Sequence, residues 1–167
     1  MADLILTNRK AIKLITERKK ELEDRLGVTI SLTGKKITFD GPALHEYEAE
    51  IVFGAINFGF PIKIALDLKN PEIAFQKLNI KDFTRRKNLR DVKARVIGKE
   101  GKTKRTLADL GDCDIVVNNN DIGIICPTEN MQEEITAITN LIRGSKEANV
   151  YKYLERMNRE RKKHKFK

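Results

Sequence analysis

Cysteine and histidine are scarce in this 167-residue chain, and no long apolar run is present. Each scarcity removes a class of protein. A membrane-spanning helix needs about 18 consecutive apolar residues, and no stretch approaches that length. The opening MADLILTNRKAIKLI places charges where a signal peptide needs an unbroken apolar segment. A soluble, cytoplasmic protein with no membrane partner is the expectation. Cys113 and Cys126 are too few for a disulfide framework, and neither sits in a CxxC or beside a histidine, so structural zinc is not expected. His45 and His164, alone in the chain, leave histidine-based catalysis few possible casts. No catalytic residue, metal or cofactor is expected.

Positive charge is abundant, and it is unevenly placed. Net charge is +9; residues 81–105 hold eleven Lys/Arg against Asp82, Asp91 and Glu100, and residues 152–167 hold eight against Glu155 and Glu160. The remainder sums to −5. Two basic blocks on a mildly acidic body form a footprint for a polyanion, with nucleic acid ahead of an anionic membrane surface.

Shifting the chain against itself by 85 residues aligns AIKLITERKKELEDRLGVTISL, from Ala11, with VIGKEGKTKRTLADLGDCDIVV, from Val96, without a gap. Ile12/Ile97, Lys19/Lys104, Leu22/Leu107, Asp24/Asp109 and Ile30/Ile115 are identical, and the register runs on through Ile37/Ile122, Pro42/Pro127, Glu48/Glu133 and Gly59/Gly144. One supersecondary unit used twice is the expectation. Each copy reads as a strand (4–6 or 73–80), a helix, a turn, a second helix (103–110 in the second copy) stopped by glycine at 111–112, a two-stranded hairpin, and a longer amphipathic helix. In the second hairpin (113–118 and 121–126), pairing of positions that sum to 239 sets Val117, Ile115 and Cys113 opposite Ile122, Ile124 and Cys126 on one face. Val28, Ile30 and Leu32 opposite Ile37 and Phe39 repeat this in the first copy. The cysteines then read as buried small hydrophobes, with a cross-strand redox pair as the alternative. The fold class is α+β, with helices on one face of a three-stranded antiparallel sheet, twice.

The string VIGKEGKT, from Val96 to Thr103, admits two phosphate-binding readings. A P-loop, GxxxxGK[ST], needs glycine where Val96 stands and a buried strand where LRDVKARVI stands, so that reading fails. A GXXG turn between helices instead removes side chains so that a nucleic-acid backbone can approach the main chain at a helix N-terminus. Lys99, Lys102, Lys104 and Arg105 surround the turn with positive charge; Glu100 opposes it and is expected to point away.

From 95 to 117 the sequence resembles the core of a KH domain of eukaryotic-type order, VIGxxGxxI followed by helix, turn and strand. Leu107 stands slightly past the usual apolar position, and Lys104 or Arg105 falls where many relatives carry isoleucine. The counterpart of GXXG in the first copy, Lys13-Leu14-Ile15-Thr16, has no glycine, so that copy would keep the fold without the clamp. With RVIGKEGKTKRTL, the linker length and a basic C-terminal helix after Gly144, nearly the full chain is similar to an archaeal ribosome-assembly family called Dim-two or Partner of Nob one.

That resemblance implies two tandem type I KH domains, a degenerate one over 1–68 and a GXXG-bearing one over 69–149, followed by a C-terminal basic helix or tail over 150–167. It implies single-stranded RNA binding near the 3′ end of small-subunit ribosomal RNA, beside the endonuclease that trims that end, with the alpha subunit of translation initiation factor two as a further partner. The RNA site would comprise Arg95, Val96, Ile97, Gly98, Lys99, Glu100, Gly101, Lys102, Thr103, Lys104 and Arg105, with phosphate contacts from Arg85, Arg86, Lys87 and Arg90. A protein-interaction adaptor in RNA processing or degradation, working through the mildly acidic first copy, is the alternative. In the tail, Val150, Leu154 and Met157 form a docking stripe, and RERKKHK beyond it is expected to be mobile without RNA.

Overall fold

The computed structural model describes residues 1–165, which form two compact units, 1–71 and from Glu72 onward. The first contains β1 (Ala2–Ile5), α1 (Arg9–Glu17), α2 (Lys19–Leu26), β2 (Thr29–Thr33), β3 (Lys36–Asp40), α3 (Ala43–Phe58) and the short α4 (Ile62–Leu66), with sheet order β1-β3-β2. The second contains β4 (Ile73–Asn79), α5 (Leu89–Ile97), α6 (Lys102–Gly111), β5 (Asp114–Asn118), β6 (Asp121–Pro127), α7 (Thr128–Arg143) and α8 (Glu147–Lys165), with order β4-β6-β5. Both sheets are wholly antiparallel.

Local chemistry explains the boundaries. Asn8 caps α1 by accepting from the N–H groups of Lys10 and Ala11, and Asn88 caps α5 by accepting from that of Asp91. The α3 and α7 helices each follow a proline, Pro42 or Pro127, and end at a glycine of positive φ, Gly59 or Gly144. The two hairpins have the expected registers: Val117 pairs with Ile122 and Ile115 with Ile124, as Ile30 pairs with Phe39 and Leu32 with Ile37. Cys113 and Cys126 are free thiols buried in the second core with Ile115, Ile122 and Ile124.

The repeat needs a correction. From α2 onward the spacing of 85 holds element for element: β2 to β5, and α3 to α7. Before α2 it fails. The buried pair Ala11/Ile15 of α1 matches Val92/Val96 of α5, a spacing of 81, and the first strands are 74 apart, because Ile5 pairs with Lys36 as Asn79 pairs with Asp121. Four residues are therefore extra in the second unit between its first two helices, and they are the GXXG. Lys13-Leu14-Ile15-Thr16 is no counterpart of that turn. It lies inside α1, and Arg18 alone joins α1 to α2. A gapless alignment tolerates this error because a slip of four residues returns a helix to nearly the same face, so apolar positions still meet apolar ones.

Two further expectations change. Gly111 is not the left-handed stop of α6; Asp112 takes that conformation (φ 54°), while a Cβ on Gly111 would collide with the carboxylate of Glu134. The segment beyond Met157 is helical in the structure: α8 runs to Lys165, with Arg161 3.5 Å from Glu133 and Lys165 3.4 Å from Glu129 on α7. Those ion pairs replace the apolar face that the segment lacks. Phe166 and Lys167 lie outside the described residues.

Candidate nucleic-acid interface

The loop leaves a helix, not a strand, which disposes of the P-loop geometrically. At the end of α5 the Gly98 N–H donates to the Ala94 carbonyl (2.8 Å), and Gly98 then leaves the helical region at φ 75°, ψ 174°. One 3₁₀ turn, Lys99–Gly101, follows, closed by the Gly101 N–H on the Gly98 carbonyl (3.2 Å). Glu100 (φ 56°) and Gly101 (φ 76°) are left-handed. The two glycines do different jobs. A Cβ on Gly98 would lie 2.6 Å from Thr103 Cβ and 2.7 Å from its backbone nitrogen, whereas around Gly101 the nearest atom is Arg105 Nη1 at 3.8 Å, and only the left-handed φ requires glycine. No side chain caps α6, so its first N–H groups and positive dipole end are left for solvent or an anion.

Around this junction the anticipated residues separate by role. Lys99, Glu100, Lys102 and Arg105 are exposed and Lys104 is half-buried. Among the described residues, none of these four cations makes an ion pair. Val96 is wholly buried and Thr103 nearly so, which makes them supports of the loop, not surface contacts. Ile97 and Arg95 are half-buried, and the Arg95 guanidinium donates to the Ser145 carbonyl (3.0 Å) between α7 and α8. Arg85, Arg86 and Lys87 are exposed on the connector after β4, and Arg90 is exposed in the first turn of α5. The nine residues of α5, roughly 13 Å, separate Arg85, Arg86 and Lys87 from the loop, so positive charge sits at both ends of the helix.

The first turn of α8 was not anticipated. Glu147 Oε1 accepts hydrogen bonds from the Thr103 hydroxyl (2.6 Å) and the Tyr151 hydroxyl (2.7 Å). Those two hydroxyls hold its carboxyl below the usual carboxylate range, with Lys102 and Arg95 nearby adding to the effect. Glu147 and Tyr151 wall a cleft of about 400 Å³ whose other side is the glycine loop. No motif in the sequence marks them, because a helix 44 residues from Thr103 reaches the loop only through packing. Farther along α8, Lys152, Arg156 and Arg159 line a second open cleft, with the Arg156 guanidinium 5.9 Å from the Tyr153 ring centre.

Residues 74–159 match the family model for the second KH domain of Partner of Nob one, a eukaryotic-type (type I) KH domain. Over 155 residues the chain is 33% identical to a KH domain-containing protein of Methanocaldococcus jannaschii, covering 89% of this chain and 68% of that one. The chain belongs to the Dim-two and Partner of Nob one family. Its two three-stranded units are the paired KH folds of that family, and α8 is the C-terminal helix that follows them. A protein of unknown function from Aeropyrum pernix has the same fold, with TM-score 0.86 at 26% identity over 98% of this chain and 93% of that one. So does a chain in the solved complex of a/eIF2alpha, aDim2p and rRNA from Pyrococcus horikoshii, with TM-score 0.83 at 24% identity over 95% of this chain and 94% of that one.

Proposed function

We propose that this chain is a non-enzymatic, single-stranded RNA-binding protein of small-subunit ribosome maturation, and that the loop 98–101 is its clamp. Its RNA is the 3′ region of small-subunit ribosomal RNA, its neighbours there the trimming endonuclease and the alpha subunit of initiation factor two. Family membership supports the setting, as does the name of the Pyrococcus horikoshii complex, which contains an initiation factor alpha subunit and rRNA. One observation carries the clamp: the four residues that the second unit has and the first lacks include two positive-φ glycines at an uncapped helix start, ringed by unpaired Lys99, Lys102, Lys104 and Arg105. Backbone phosphates fit such a site by charge and by close approach. Specific base reading would lie along α5, α6 and β5.

Replacing Lys99 and Glu100 together by aspartate tests it. Both side chains are exposed, so the thermal midpoint should stay within about 2 °C, while affinity for single-stranded RNA should fall at least about 30-fold through lost and reversed charge. Retained affinity in a fluorescence-anisotropy titration would remove the loop from the interface.

A second reading is favoured by a different observation. Ile5, Leu44 and Tyr47 of the first unit are large apolar side chains left exposed, which suits protein docking by the unit without a clamp.

A further inference from the structure

A carboxylate beside a phosphate clamp costs affinity, yet Glu147 is held there by two hydroxyls. Both donate to Oε1 and neither to Oε2, and Glu147 lines the cleft. The cleft supplies the parts of a ribonucleotide site: Lys99 and Lys102 as cations toward a phosphate, the half-buried Tyr151 ring as a surface for a sugar or base, and a fixed, ionised acceptor. The acceptor cannot serve the phosphate, because like charges repel. It can serve a hydroxyl one sugar away. Carboxylates bind ribose hydroxyls well because the acceptor is charged, and the 2′-hydroxyl is the group by which a protein distinguishes RNA from DNA at a given position.

We propose that the cleft between the glycine loop and the first turn of α8 is a ribonucleotide subsite in which Glu147 accepts a hydrogen bond from a ribose 2′-hydroxyl and so selects RNA over DNA. This rests on the clamp reading above. The proton stays on the ribose oxygen; no bond is made or broken. Thr103, which is buried behind Gly98, and Tyr151 orient the acceptor, and Arg95 ties α5 to the turn that precedes α8.

The test uses random-sequence RNA and DNA single strands of about twelve nucleotides, long enough to span one KH groove and its flanks, titrated against the full chain. The unsubstituted protein should bind RNA about ten- to hundredfold tighter than DNA, the range of one hydrogen bond to a charged group. In Glu147→Ala the ratio should fall near one, with DNA affinity unchanged or raised because a negative charge has gone. Glu147→Gln, which keeps a neutral acceptor for the same two hydroxyls, should give an intermediate ratio, and Tyr151→Phe should keep most of it. A ratio unchanged in Glu147→Ala overturns the proposal. Parallel loss of RNA and DNA binding does so too, since it makes Glu147 a brace for the loop or a reader of bases. The clamp fails separately: Lys99→Asp with Glu100→Asp would then leave both affinities intact.

Discussion

The first and second units share one fold and differ mainly by what has been inserted into it. Equivalent positions are 85 residues apart from α2 onward, 81 apart in the first helices and 74 apart in the first strands. The added residues of the second unit therefore sit in two places, the connector carrying Arg85, Arg86 and Lys87 and the loop 98–101. Both are basic. The first unit, 1–71, has eleven Lys/Arg against ten Asp/Glu, whereas residues 72–167 have 22 against 14. That near balance also revises the mild acidity expected of the first copy. Three of its helix-surface cations are answered locally, with Lys13 3.9 Å from Glu17, Arg18 3.7 Å from Glu21 and Lys19 3.9 Å from Glu23. Such exposed pairs stabilise little, but each offsets a positive charge at the surface. The second unit thus differs from the first by inserted glycine and unpaired charge, with no change in its core topology.

Among the differences between the two cores is one exchanged pair. Leu26 and Ala49 are buried in the first unit; at the equivalent places the second has Gly111 and Glu134. Bulk has moved from one helix to the other, and with it a carboxyl that is wholly buried, with no hydrogen-bond partner on either oxygen. Burial lifts its pKa from an ordinary 4.5 to about 8 against the opposing pull of Cys113 and Arg161. Breaking this difference should have the largest effect on stability. Gly111→Leu alone should destabilise by about 3 kcal/mol or more, because the new side chain meets the carboxylate. Gly111→Leu with Glu134→Ala, which restores the pair of the first unit, should recover most of it, and urea unfolding should give a coupling above about 2 kcal/mol. Additive losses would refute the exchange. The pH dependence follows from the raised pKa. The contribution of Glu134 is fully present below 4.5, falls as pH rises through about 8 and is then lost. Glu134→Gln should flatten that decline and stabilise the chain by a few kcal/mol at about pH 9.

Next in size is the division of labour between the two glycines. Gly98→Ala combines a left-handed φ with contacts of 2.6–2.7 Å to Thr103, and should cost about 2–3 kcal/mol while displacing the loop. Gly101→Ala meets only an ordinary contact, Arg105 Nη1 at 3.8 Å, and should cost about 1 kcal/mol, the left-handed penalty alone. Equal costs in thermal unfolding would show that Thr103 does not back the loop.

Much of this architecture is legible in the residues. Strand registers come from period-two alternation, which a slip of one residue would invert, so Ile115 facing Ile124 and Ile30 facing Phe39 are strongly specified. Helical periodicity is weaker evidence. It cannot see a slip of four, which is why a deletion in the first unit reads as a loop without glycine. The GXXG junction and its cations are visible as a motif. Glu147 is not, because its place beside Thr103 depends on how α8 docks. Nor is the burial of Glu134, since a glutamate in an amphipathic helix ordinarily faces water.

The smallest effect belongs to α8, and it sharpens where the polyanion runs. Cutting the chain after Met157 is a poor probe, because it would remove Arg161 from beside half-buried Glu133 and buried Glu134 as well as the basic surface. Lys152, Arg156 and Arg159 are better targets. They line an open cleft, and none of them makes an ion pair among the described residues. Replacing all three by serine should leave the fold intact and weaken RNA binding by severalfold at physiological salt. The slope of log affinity against log salt should shrink by about 2, at roughly 0.7 per phosphate contact on a single strand. A slope unchanged within error would confine the phosphate path to the glycine loop and the basic connector, and would make α8 a wall of the cleft and not a continuation of the track.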